Sequence, residues 1–156
     1  MALSDTYLST LLESLTTDTT ALEAAEKLAE AYASYMIGAA AGAFPLLATV
    51  APKAAMSGAM VFPTVGTAAS AGASIQAGVV AFWAAMVAAP ATYFAAATVI
   101  APPAGLTTLG TALSAVFTSN IGSSLELSAD AMAAAIHAAS AGGTATFPPS
   151  TVTPIA

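Results

Sequence analysis

The side chains able to do acid, base or nucleophilic work are few, and their spacing suits none of those tasks. The single histidine, His137, lies in "AAAIHAASAGG" with no carboxylate within one helical turn, and Asp130 stands on roughly the same face two turns earlier. A hydrolytic triad needs a base hydrogen-bonded to its nucleophile and an acid orienting that base, and this pattern offers neither. Glu126 and Asp130 form an i,i+4 acidic pair, better explained as like charges on a solvated face than as a general acid and base. One histidine and no cysteine leave no three- or four-ligand set at metal spacing. The glycines make neither of the phosphate-cradling patterns. Arginine, the residue that most often grips carboxylate or phosphate, is absent. The sequence therefore reads as non-enzymatic, with no catalytic residue, no cofactor and no metal.

The surroundings that the chain requires are more informative than its chemistry. Soluble domains carry about 25% charged residues; here the share is 6%, against 58% hydrophobic, in 156 residues. The formal charge of −6 is one-sided, because Asp5, Glu13, Asp18, Glu23, Glu26 and Glu30 precede residue 31 and only Glu126 and Asp130 follow it. From Ala31 to Leu125 the sole charge is Lys53. With Lys27 and Lys53 as the only cations, phosphate neutralisation is out of reach and sequence-specific nucleic-acid binding is not expected. Hydroxyls can meet water over the uncharged body, but they resist association less than a field of net charge does. Cover by other protein subunits, in a homo-oligomer, is the economical expectation.

Lipid is the alternative cover. The apolar segment 77–101 exceeds the roughly 20 residues that a spanning helix needs, yet it is largely alanine and has Pro90 in its middle. Leu, Ile, Phe and Val drive insertion at only about −0.3 to −0.6 kcal/mol each, and no basic cluster flanks the segment to orient it. A membrane-active protein, such as an ejection protein or a holin-like pore former, is therefore the second reading. The start, "MALSDTYLSTLLESL", lacks the basic region and cleavage site of a secretory signal and reads as an amphipathic helix.

Helical periodicity runs through the chain. Leu3, Leu8, Leu11, Leu12 and Leu15 share a face, with Ser4 or Asp5 as cap. "TTDTT" is a break, Thr20 and Glu23 make a capping box, and Glu23 with Lys27 adds an i,i+4 pair. The second helix is expected from Ala21 to about Gly42. One or two short helices, interrupted near Pro52, follow between Pro45 and Pro63. A helix spans Thr67 to Ala89, where Gly66, Ser70, Ser74 and Gly78 make a flat ridge like that of Gly38 and Gly42. The chain resumes as helix in "ATYFAAATVIA" after Pro90, turns at Pro102, Pro103 and Gly105, and continues through Leu106 to Phe117. A last helix runs from about Ser124 to Ala141, with Gly142 and Gly143 suited to its end. The expected fold is all-α: a single helical domain, residues 1–143, in the form of a small bundle with short Pro/Gly connections. Within it, acidic amphipathic helices occupy 3–42 and an uncharged body 45–141, and residues 144–156 form an extended Pro/Thr tail. Tyr32, Tyr35, Met36, Phe44, Phe82, Trp83, Met86, Tyr93 and Phe94 are the expected interface anchors, because aromatic and Met side chains carry most interface energy.

The acidic amphipathic start, the uncharged Ala/Thr/Ser/Gly body of "AEAYASYMIGAAAGAF" and "SIQAGVVAFWAAM", and the ending "GGTATFPPSTVTPIA" together resemble small virion structural proteins of tailed bacteriophages. The likeness is one of composition over most of the chain and transfers no functional residues. It implies a non-enzymatic part of a neck, tail, baseplate or capsid, made in the host cytoplasm, present in symmetric copies and held by other virion subunits.

Overall fold

The computed structural model describes residues 3–13, 20–63, 66–120 and 124–156. The protein is mostly helical, with two small sheets built from segments that the periodicity assigns to helix or tail. Helix α1 (Asp5–Glu13) opens where the Ser4 hydroxyl accepts the Tyr7 N–H at 3.3 Å. Leu15 and Thr16–Thr19 lie outside the described residues. Helix α2 (Ala21–Met36) begins at the expected capping box: the Thr20 N–H donates to Glu23 Oε2 at 2.9 Å and the Glu23 N–H to Thr20 Oγ1 at 3.3 Å. The Thr20 backbone N–H, then its hydroxyl, hold the exposed Glu23 carboxyl below the usual range.

Helix α2 stops at Met36, not at Gly42. Gly42 takes a left-handed φ of +61° in the turn between β1 (Ala40–Ala41) and β2 (Phe44–Pro45), so it and Gly38 lie beyond the helix they were expected to ridge. Helix α3 (Val50–Ala59) contains Pro52 in its first turn, where the missing N–H has no intrahelical partner to lose, and so it is not interrupted there. Helix α4 (Ala68–Ala88) carries a second reciprocal cap, the Thr67 N–H donating to Ser70 Oγ at 2.8 Å and the Ser70 N–H to Thr67 Oγ1 at 3.2 Å. It ends before Pro90, whose ring disfavours helical backbone at Ala89.

After Pro90 the expected helix is a single turn, α5 (Pro90–Tyr93), followed by β3 (Val99–Ala101). The β-branched run Thr98, Val99 and Ile100 suits a strand, but the partner that makes it one comes from the far end of the chain. There the expected tail folds into β4 (Thr144–Phe147) and β5 (Thr151–Pro154), paired antiparallel in the order β3-β4-β5 with Ile100 opposite Ala145 and Ala145 opposite Thr153. Ile155 bridges to Ala41, and Ala40 and Ala156 exchange backbone bonds of 2.9 and 3.0 Å. Residues 144–156 are extended, then, but docked, with Ala145, Phe147 and Ile155 buried.

A 3-10 turn (Ala104–Thr107) leads to α6 (Leu109–Ser119), and α7 (Leu125–Ser140) follows, capped by Ser124 at its start and ending at Ala141 before Gly142 at φ +87°. The main helix contacts close a circuit in the order α1, α2, α3, α4, α6, α7 and back to α1. Its interior holds Tyr32, Tyr35, Met36, Met56, Phe82, Trp83 and Met86, all but fully buried. Two glycines set how tightly the circuit closes. A Cβ on Gly72 would collide with the Gly110 carbonyl, so α4 and α6 touch backbone to backbone there. Gly78 lies equally tight under Met60 and Met56, at the boundary with α3.

Candidate functional site

The polar groups with chemical potential lie in one buried network spanning α2, α4 and α7. The Trp83 indole N–H donates to Tyr32 Oη at 3.0 Å, and Tyr32 Oη lies 2.8 Å from Ser140 Oγ. With the indole able only to donate, the Tyr32 hydroxyl accepts it and gives its own proton to Ser140. Burial pushes the Tyr32 phenol up to about 12, against the lowering effect of its bonds to Ser140 and Trp83. Next to it, Tyr35 Oη stands 2.8 Å from His137 Nδ1. Burial, then the Tyr32 and Asp5 charges, raise the Tyr35 phenol, so it keeps its proton, and the imidazole tautomer sets which of the two groups donates. The Tyr32 and Tyr35 rings are 5.7 Å apart, and Phe82 meets Tyr32 edge-on at 5.0 Å.

This network locks helices together and offers nothing nucleophilic. Ser140 is fully buried, and among the described residues His137 is hydrogen-bonded to Tyr35 and to no carboxylate. Asp130 points the other way and accepts the Ser9 hydroxyl of α1, which explains why its seven-residue spacing from His137 brings the two to no common task. Among the described residues no group of three His, Asp or Glu side chains is placed to hold a metal. The two lysines of the sequence do converge, on a cleft of about 460 Å³ between α2 and α3 lined by Glu26, Lys27, Glu30, Lys53 and Ser57. An ion pair between Lys53 and Glu30 spans it.

Of the nine expected interface anchors, Tyr32, Tyr35, Met36, Phe82, Trp83, Met86, Tyr93 and Phe94 are buried in this chain's own core, at 5% exposure or less. Their bulk is spent inside, because the only tryptophan and most of the aromatics are needed to fill a circuit of alanine-rich helices. Phe44 differs: it is 38% exposed and stacks on Phe147 with ring centroids 4.4 Å apart. The segment 77–101, expected as one apolar unit, is divided among α4, α5 and β3; among the described residues the helix of membrane-spanning length is instead α4, with a mean hydropathy of 1.6 over its most apolar window.

Among the described residues between 31 and 125, what faces outward is uncharged but for Lys53. Ile37, Leu47, Val50, Val61, Val80, Val87 and Val99 are exposed, Val50 to 75%, within the stretch whose one charge is Lys53. Along α4 every exposed position is alanine or valine. Beside that face runs a groove of about 450 Å³, walled by Val80, Ala84 and Val87 on one side and Pro102, Pro103 and Leu106 on the other. Gln76 closes one part of it and supplies the cap that Thr108 does not: its Oε1 accepts the Gly110 N–H at 3.0 Å, while its Nε2 donates to the Leu106 carbonyl at 2.8 Å. No sequence signal foretold that bond, since a glutamine's partners lie wherever the fold brings an orphan helix terminus. No family model matches this chain, and no curated protein or solved structure matches it.

Proposed function

We propose that this protein is a non-enzymatic structural subunit of a larger assembly, a component of a bacteriophage virion, that packs against neighbouring subunits through uncharged helical and loop surfaces. One observation carries the reading: after the chain has filled its own core, large apolar side chains from Ile37 to Val99 still face outward with almost no charge among them. Scattered exposed hydrophobics are ordinary on any protein, but they normally sit among lysines, arginines and carboxylates that keep molecules apart. Among the described residues that insulation is confined to α1, α2, the start of α7 and Lys53 of α3. The inward-locked polar network supports the same reading, since its hydroxyls are consumed in holding the fold.

Sedimentation velocity of the purified protein in detergent-free buffer tests this. Oligomers that grow with concentration are expected, and a monomer across the whole accessible range would overturn it. A membrane-active protein is the second reading, favoured by one observation, the length and hydropathy of α4. Flotation with liposomes separates the two: recovery of the protein in the lipid fraction, without any partner, favours the membrane.

A further inference from the structure

We draw no further inference here: the strongest candidate, the apolar groove between α4 and the turn of Pro102, Pro103 and Leu106, is lined by no charged residue, and nothing in the structure shows what covers it.

Discussion

At the residue scale, the phenol of Tyr32 is the most constrained polar atom in the fold. Tyr32→Phe removes one oxygen and leaves two buried groups, the Trp83 N–H and the Ser140 hydroxyl, without their shared partner. Each orphaned buried group costs about 1–3 kcal/mol, so the urea midpoint should fall by the equivalent of about 2–4 kcal/mol. Tyr35→Phe should cost less, about 1 kcal/mol, because His137 is only partly buried and water can replace the lost hydroxyl partner. The raised Tyr32 phenol also sets an alkaline limit. Its ordinary value is 10.0 and its folded value about 12, so the folded state prefers the protonated form. That preference is fully present below pH 10 and is lost as pH rises from there through the folded value, a change of about 3 kcal/mol. Circular dichroism of chemical denaturation between neutral and strongly alkaline pH should show stability falling over that window, and the fall should be shallower in Tyr32→Phe, where the raised Tyr35 phenol still contributes. None of this was legible in the sequence. Trp83, Tyr32 and Ser140 are far apart along the chain, and the expectation that aromatic residues serve partners overlooked how much bulk an alanine-rich interior needs.

At the element scale, the sequence disclosed several local devices and few of the long-range ones. The Thr20 and Glu23 capping box, the break before Pro90, the Ser124 start and the Gly142 end are all written within four residues of where they act, and the fold uses them as written. Local pattern assigns β3 to helix and residues 144–156 to an extended tail, because the pairing of Ile100 with Ala145 depends on a contact between segments that α6 and α7 separate. The expected small-residue ridge of Gly66, Ser70, Ser74 and Gly78 meets α3 at Gly78, whereas the backbone contact with α6 runs through Gly72 and Gly110 on the opposite side of α4. Substitution of the glycines separates these roles. Gly72→Ala drives a methyl into the Gly110 carbonyl and should destabilise by about 1–3 kcal/mol. Gly58→Ala meets nothing within 4 Å in the last turn of α3, and should stabilise by up to about 1 kcal/mol through helix propensity. Thermal unfolding of the two variants, measured together, should therefore move in opposite directions. Gln76→Ala belongs with the first, since it strips the Gly110 N–H of its acceptor at the α6 terminus; a loss of about 2 kcal/mol is expected from the same measurement.

At the scale of the whole molecule, the governing fact is the separation of charge from apolar surface. Lys53 and Glu30 tie the acidic α2 to the uncharged body at one ion pair, exposed to 39% and 62%, and beyond it the surface from α3 to α6 relies on hydroxyls and bare alkyl groups. Composition alone announced this asymmetry. Which residues face out was not readable, because an alanine-rich helix gives nearly the same hydrophobicity on every side and only the fold decides the inward face. The asymmetry predicts how association responds to salt. Between about 0.1 M and 1 M ionic strength the screening length falls from about 10 Å to about 3 Å. A contact made by the carboxylates of α1 and α2 with the few lysines would weaken many-fold across that range. A contact made by uncharged faces has no attraction to screen, while the repulsion between molecules of net charge −6 is relieved. Sedimentation at the two salt concentrations should therefore show self-association unchanged or strengthened at the higher one, more so in sulfate than in chloride, since excluded salts favour apolar burial. Dissociation in high salt would place the contact on the acidic helices and remove the uncharged surface from the account.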